Sequence, residues 1–158
     1  MIQLMPMTEG EFQSYYKHLI ANYAKENVRS GRWTAEEANE QATKEIQALL
    51  TDGVATQDQF LYILKDSNTQ AAVGIIWYAM QSLAGHKSAF IYDINIYPNF
   101  RRQGYATKAL QALEDQVRST GVREIRLHVF GHNEGAQELY KKIGYVTTNV
   151  MMAKTLET

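Results

Sequence analysis

The sequence contains no cysteine, which excludes disulfides, thiolate metal ligands and any covalent intermediate on a cysteine. It has almost no net charge, because 16 Lys and Arg residues balance 17 Asp and Glu residues. No global basic field is therefore available to attract nucleic acid or an anionic membrane. Long apolar runs are also missing, since the longest, 71–80, is too short to cross a bilayer as a helix. These features predict a cytoplasmic protein that binds neither nucleic acid nor membranes.

Size and composition predict a single domain. The chain has 158 residues, of which 45% are hydrophobic, and this is enough to bury one sizeable core. It shows no internal repeat, low-complexity tract or linker rich in Gly, Pro or Ser. We therefore expect residues 1–158 to form one domain.

Hydrophobic spacing predicts two early helices, followed mainly by strands. Each early helix follows a Thr with Glu three residues later, and such pairs can cap a helix reciprocally. The pairs are Thr8 with Glu11 and Thr34 with Glu37. Further strands are predicted at 59–66, 71–78, 89–98, 124–130 and 145–153, after a short first strand near residues 2–5. Two more helices are predicted around 106–117 and 133–143.

This order of elements predicts the sheet topology. The segments 59–66 and 71–78 are joined by a short polar turn, which favours an antiparallel hairpin. The strand, helix and strand between 89 and 130 form a crossover unit, which makes the two strands parallel. The fold class is therefore α/β or α+β with a mixed sheet.

The turn RRQGYAT, residues 101–107, lies where a strand is followed by a helix. The first amides of a helix lack intrahelical acceptors and can bind a phosphate or pyrophosphate. Gly104 and Ala106 let the backbone approach such an anion, and Arg101 and Arg102 add positive charge. A capped helix with a solvated basic start explains these residues equally well.

Two segments resemble signatures of the GCN5-related N-acetyltransferase (GNAT) superfamily. RRQGYA, residues 101–106, is similar to R/Q-x-x-G-x-G/A, and NEGAQELYKKIGY, residues 133–145, is similar to N-x-x-A-x-x-L-Y-x-K-x-G-F. The order of elements resembles that of the family over essentially the whole chain. The resemblance implies a mixed, mostly antiparallel sheet with a splayed parallel strand pair and flanking helices. It also implies an acetyl-CoA-dependent N-acetyltransferase; a catalytically silent acyl-CoA-binding regulatory module is the alternative.

The resemblance places acetyl-CoA in a cleft between the strands at 89–97 and 124–130. The backbone of Ile94 and Ile96 would pair with the pantetheine arm, and Asn133 would hydrogen-bond the same arm, although helix capping alone also explains Asn133. The pyrophosphate would lie on the amides of the turn. The turn residues expected to bind acetyl-CoA are Arg101, Arg102, Gln103, Gly104, Tyr105, Ala106 and Thr107.

Acetyl transfer needs an acid for the departing thiolate, and the resemblance assigns this role to Tyr140. A phenol with an ordinary pKa near 10 is a suitable acid for a thiolate of similar basicity. Tyr140 also belongs to an apolar helical stripe with Leu139 and Ile143, so packing alone is the alternative explanation.

Asp93 is the candidate base, because a carboxylate in an apolar central strand is costly unless it is paired or functional. A structural Asp bonded to backbone or to a tyrosine is the alternative. Strict alternation places Asp93 on a different face from Tyr92, Ile94 and Ile96. Relatives in the resembled family often carry Glu near Asn95, where an amide cannot accept a proton, so the identity of the base stays open.

Other side chains are weaker candidates. His128 or His132 could relay a proton, but two histidines without matching carboxylates do not make a metal site, and no metal is expected. Without cysteine, direct attack by a primary amine of a small molecule or protein is favoured over a ping-pong route. The arginines and Trp33 of the loop ENVRSGRW, residues 26–33, could bind an acidic group of the acceptor, or the loop could be a solvated connection. A homodimer through the last strands is a further expectation from the resemblance.

Overall fold

The sheet follows the order of the chain, β1-β2-β3-β4-β5, in the computed structural model, which describes residues 1–157. The strands are β1 (Ile2–Pro6), β2 (Gln59–Asp66), β3 (Ala72–Leu83), β4 (His86–Ile96) and β5 (Ile125–Leu127). The helices are α1 (Glu9–Arg29), α2 (Ala38–Leu49), α3 (Tyr105–Ser119) and α4 (Glu134–Lys142). Neighbouring strands are antiparallel except β4 and β5, which are parallel. The predicted mixed, mostly antiparallel sheet is confirmed.

The two predicted capping pairs are both formed. The Thr8 amide donates to Glu11 Oε1 at 2.9 Å, and the Glu11 amide donates back to Thr8 Oγ1 at 3.2 Å, so α1 begins where the sequence indicates. Thr34 and Glu37 form the same reciprocal pair, but it closes a turn and α2 begins only at Ala38. Among the helices within residues 1–157, none combines the length and apolar character needed to cross a membrane.

Apolar side chains cover both faces of the sheet. Trp77 and Tyr78 are adjacent on β3 and both are buried, yet they point to opposite faces, as the two-residue period of a strand requires. Tyr78 packs in the cluster shared with α3, whereas Trp77 packs in the cluster shared with α1 and α2. The sheet is therefore the middle layer, with α1 and α2 on one side and α3 on the other.

A β-bulge interrupts β4 at Tyr92. Trp77 of β3 is paired with Asp93 and the next residue, Tyr78, is paired with Ile91, so Tyr92 is an extra residue on β4. The prediction of strict alternation along β4 is therefore wrong. Tyr92 packs on the side of α1 and α2, whereas Ile94 and Ile96 pack on the side of α3. The cause is the extra residue, which reverses the alternation beyond it.

Near the end of the chain, one predicted strand is confirmed only in part and another prediction is wrong. The strand expected over 124–130 is ordered only as β5, and no strand is assigned to 145–157. A strand needs a hydrogen-bonded neighbour, and among the described residues β5 pairs only with β4. Side chains of the final segment are instead largely exposed, including Val150 at 68% and Met152 at 89%.

Candidate active site

The parallel strands β4 and β5 separate directly before the bulge. Their pairing covers only three residue pairs and ends at Ile91 with Leu127. The Tyr97 amide donates to the Val73 carbonyl of β3 at 2.8 Å, so the alternating backbone groups of Ile96 and Ile94 face away from β3, toward the gap beyond these pairs. The Ile96 carbonyl accepts a 2.8 Å hydrogen bond from Arg101 Nε.

A cradle of backbone amides lies at one side of this gap. Arg102 and Gly104 have positive φ values of 62° and 80°, and α3 begins directly after Gly104. The amides from Gly104 to Thr107 donate no hydrogen bond to any group within residues 1–157, and the first helical bond is from the Lys108 amide to the Gly104 carbonyl. Four unpaired donors at the positive end of a helix dipole are an arrangement that can bind an anion.

The side chains of this turn have two different functions. Arg101 folds back onto β4, where its guanidinium also donates to Asn95 Oδ1 at 3.2 Å, so it holds the turn against the strand. Gln103 donates to the Asn99 carbonyl at 3.3 Å. Arg102 is exposed and is the turn's available positive charge. A depression beside the cradle is lined by Ile96, Phe100, Arg101, Arg102, Gly104, Tyr105, Ala106, Thr107 and Leu139.

Asp93 follows the bulge and is held by a residue of α1. Tyr15 Oη donates a 2.7 Å hydrogen bond to Asp93 Oδ2. Desolvation raises the pKa of the Asp93 carboxyl, although the hydrogen bond from Tyr15 acts in the opposite direction. The same contact and the burial of Tyr15 raise the pKa of its phenol well above the ordinary value. The phenol therefore remains a donor at neutral pH.

Tyr140 lies on α4 and is partly buried. Its ring packs partly against the cluster on the α3 side and meets the Tyr145 ring edge-on, with centroids 5.6 Å apart. Burial, and then the negative charge of Asp93, raise the pKa of the Tyr140 phenol. The charge of Asp93 is thus the second cause, after burial, of the raised pKa of Tyr140.

The role of Tyr15 was not foreseen from the sequence, although a signal was present. Tyr15 belongs to the apolar face of α1, where aromatic residues at helical spacing usually form core. A buried tyrosine still needs a partner for its hydroxyl, and a lone carboxylate in an apolar strand also needs one. Because each of these two residues needs a hydrogen-bond partner, the sequence could have indicated a contact between α1 and β4.

The remaining polar candidates have structural contacts. Asn133 caps α4, since its Oδ1 accepts a 3.3 Å bond from the Ala136 amide, as capping predicts. His132 Nε2 contacts Glu26 Oε2 and thereby links the turn before α4 to α1. His128 lies beyond the end of β5 and packs edge-on against Phe130, at 5.0 Å between centroids.

Arg32, in the loop after α1, is already paired. Its guanidinium donates to both carboxylate oxygens of Glu45 at 2.9 and 3.3 Å and also to Tyr23 Oη at 3.2 Å. It lies 4.8 Å from the centre of the Trp33 ring. These contacts favour the interpretation of the loop as a structural connection rather than as an anion receptor.

Comparison with known proteins shows which family the chain resembles. The profile of the Acetyltransferase (GNAT) family matches residues 13–145. The uncharacterized N-acetyltransferase YycN of Bacillus subtilis (strain 168) is 39% identical over 155 residues, which cover 98% of this chain and 99% of YycN. The uncharacterized N-acetyltransferase YdgE of the same strain is 36% identical over 153 residues, which cover 97% of each chain.

Comparison with solved structures shows that the chain shares its fold with proteins of known structure. The crystal structure of YycN has a TM-score of 0.94 with this chain at 37% identity, and the match covers 100% of both chains. AAC(6')-Iy, in complex with the bisubstrate analog CoA-S-monomethyl-acetylneamine, has a TM-score of 0.60 over 100% of this chain and 99% of its own. At 15% identity, that second likeness shows the fold alone. The family match and the two full-length relatives lead to one conclusion: this chain belongs to the GNAT family and is an N-acetyltransferase.

Proposed function

We propose that this protein, as a single domain, transfers the acetyl group of acetyl-CoA directly to a primary amine of a small molecule or a protein. One observation carries the proposal. Four unpaired amides, Gly104 to Thr107, follow the strand β4, whose pairing with β5 ends at Ile91, and Asp93 lies just beyond that point. These groups would supply a site for a pyrophosphate and a base, with Tyr140 as the proposed acid.

The cradle is suited to the phosphates of acetyl-CoA. The pyrophosphate would accept hydrogen bonds from the amides of Gly104, Tyr105, Ala106 and Thr107, and Arg102 would add its charge from the exposed side of the turn. Arg101 and Gln103 would act indirectly, because both hold the backbone of the turn. AAC(6')-Iy binds an analog that joins CoA to an amine, which supports the proposal that this fold brings both substrates together.

The rest of the coenzyme would lie along β4. Beyond Ile91, the backbone of β4 has no partner from β5, so the Ile94 carbonyl could accept a hydrogen bond from the pantetheine arm as a neighbouring strand would, whereas the Ile94 amide also interacts with the Asp93 carboxylate. The Ile96 carbonyl already accepts a hydrogen bond from Arg101, so it could accept only one more from the pantetheine arm. Asn133 would donate a hydrogen bond to the same arm from its side-chain NH2 group, because its side-chain oxygen already caps α4.

The proposed chemistry needs two protons to leave the amine and one to reach the thiolate. An ammonium acceptor must lose its first proton before it attacks, and Asp93 would accept that proton directly or through water. The nitrogen then bonds to the acetyl carbon, and it releases its second proton to solvent as the carbon–sulfur bond breaks. Tyr140 would donate its phenol proton to the departing thiolate and regain a proton from solvent. Burial keeps Tyr140 protonated at neutral pH by raising its pKa, as this role requires.

The test is a library of primary amines incubated with acetyl-CoA, with products detected by mass spectrometry. We expect acetylated products in the wild-type reaction and a fall in kcat of about 10²- to 10⁴-fold in Tyr140→Phe, the range for loss of a general acid. Calorimetry with CoA, ATP and NAD is the companion measurement. Equal affinity for all three ligands would refute the acetyl-CoA assignment, and CoA binding without turnover of any amine would favour the silent binding module.

We also propose that the protein forms a homodimer through its final segment. Val146, Val150, Met151, Met152 and Leu156 are all largely exposed. β5 has one hydrogen-bonded neighbour among the described residues, so its other edge can accept a strand. Light scattering at micromolar concentration should give the mass of a dimer, and Val150→Asp combined with Met152→Asp should give a monomer. A wild-type chain that is only monomeric would refute the proposal.

A further inference from the structure

Tyr15 and Asp93 are 78 positions apart in the sequence, and one hydrogen bond joins α1 to β4 through them. Tyr15 Oη donates to Asp93 Oδ2 at 2.7 Å. Tyr15 is 9% exposed and its ring packs in the cluster between the sheet and the early helices. A hydroxyl on so well-packed a ring has little freedom to move, and it therefore fixes the carboxylate that it contacts.

The position of Asp93 explains why such fixing is needed. Asp93 is the residue after the bulge, at the point where β4 has lost its pairing with β5. A bulge changes the direction of the side chains next to it, so their orientation is not set by the regular alternation of the strand. The Tyr15 contact holds one carboxylate oxygen and so restricts this rotation.

We infer that Tyr15 is a positioning residue, which holds the Asp93 carboxylate in the orientation that receives the proton of the acceptor amine. This inference rests on the proposed function of Asp93. A misplacement of about 1 Å at a reacting group can cost about 10²-fold in rate, so a support that limits such displacement contributes to the rate. Tyr15 does not take the proton, because its own phenol is already the donor to Asp93.

The groups around Asp93 define what the hydrogen bond does to its charge. Tyr15 from α1 and the Ile94 amide of β4 both stabilise the carboxylate, whereas desolvation opposes it. Tyr140 from α4 is the other titratable group that interacts with its charge. Removing the Tyr15 hydroxyl therefore removes one of two stabilising bonds, and the pKa of Asp93 must rise.

The experiment compares Tyr15→Phe with the wild type over the pH range. We expect kcat/KM at neutral pH to fall about tenfold and the acid limb of its pH profile to move up by about one unit, as for loss of a hydrogen bond to a charge. A purely structural role would lower the amount of active protein without moving the limb. Site-specific 3-fluorotyrosine at position 15, a stronger donor, should move the limb down.

Tyr23→Phe is the matched control. It removes a hydroxyl from the same helix, and that hydroxyl also donates to a carboxylate, Glu45 Oε1, at 2.9 Å. We expect any loss of stability in this variant to leave the acid limb in place. An unmoved limb in Tyr15→Phe, with kcat/KM within twofold of the wild type, would overturn the inference.

A second readout separates this inference from the proposed function. The carboxyl carbon of Asp93 can be titrated by carbon NMR in wild type and Tyr15→Phe, with assignment by Asp93→Asn, whether or not an acceptor amine is known. A raised pKa in Tyr15→Phe supports the contact. An unchanged pKa overturns the inference on its own, whereas a wild type without any acetyl transfer would count against the proposed function.

Discussion

The Tyr105 hydroxyl donates a 2.6 Å hydrogen bond to Asp66 Oδ2. Tyr105 is the first residue of α3 and its amide belongs to the cradle, whereas Asp66 is the last residue of β2. Asp66 also accepts from the Asn68 amide at 2.8 Å, so it is fixed by its own turn. The hydrogen bond from Tyr105 lowers the pKa of Asp66 and keeps it ionised at neutral pH. This hydrogen bond thereby ties the amide cradle to the last residue of β2.

We expect Tyr105→Phe to weaken the binding of acetyl-CoA without changing the chemical step. The ring remains, but the start of α3 loses its anchor and the four amides are less well ordered. The KM for acetyl-CoA should rise several-fold while kcat stays within twofold, measured by steady-state kinetics with the best acceptor amine. Asp66→Asn combined with Tyr105→Phe should raise KM no further than Asp66→Asn alone. Additive effects would show that the two residues act separately.

Gly74 marks a close approach between β3 and β4. A Cβ at this position would lie 2.3 Å from the Asn95 carbonyl oxygen and 3.0 Å from Ile96 Cα, and neither backbone atom can move easily. We expect Gly74→Ala to destabilise the fold by about 1–3 kcal/mol, as overpacking does, and to displace the strand residues next to the gap. Urea unfolding measures the first effect, and the KM for acetyl-CoA measures the second.

Gly10→Ala is the control for Gly74→Ala. Gly10 lies in the first turn of α1 and a Cβ there meets nothing within 4 Å. Alanine should therefore be neutral or should stabilise the helix by up to about 1 kcal/mol. Equal unfolding free energies for the two variants would contradict the steric explanation.

Local features of the sequence predicted much of the fold, whereas contacts between distant segments were not predicted. The capping pairs of Thr8 and Thr34 were found because both partners lie within one turn. The bulge at Tyr92 depends on how β4 aligns with β3, and this alignment cannot be seen in either strand alone. The segment 145–153 was predicted to be a strand, but a strand also needs a hydrogen-bonded neighbour, which the described residues do not provide.

The same distinction holds for the candidate site. The turn with Gly104 was predicted because its function depends on consecutive amides, and the structure leaves those amides without partners among residues 1–157. The support of Asp93 by Tyr15 was missed because 78 positions separate them and the fold alone brings them together. Arg101 was expected to face an anion, yet it binds the end of β4.

Arg32 is predicted to contribute to stability rather than to acceptor binding. Its pair with Glu45 is partly solvated, with 50% and 33% of the two side chains exposed, so Arg32→Ala should cost about 1 kcal/mol at most. The KM for the acceptor should be unchanged, because the guanidinium is already paired. Urea unfolding and kinetics with acidic and neutral amines test this, with Arg29→Ala as the control. A raised KM for acidic amines alone would restore the anion-receptor hypothesis.

The charge of Asp93 should control the acidity of Tyr140. Asp93 raises the pKa of the Tyr140 phenol, so Asp93→Asn removes a negative charge and should lower that pKa. The Tyr140 resonance, assigned by its loss in Tyr140→Phe, can be followed by carbon NMR of labelled tyrosine at alkaline pH. Any residual kcat should show its alkaline limb at lower pH for the same reason. Asp115→Asn, which removes an 80% exposed carboxylate on α3, is the control and should leave both unchanged. If the Tyr140 titration is the same in Asp93→Asn as in the wild type, the two groups do not interact, and the pairing of acid and base in this site is wrong.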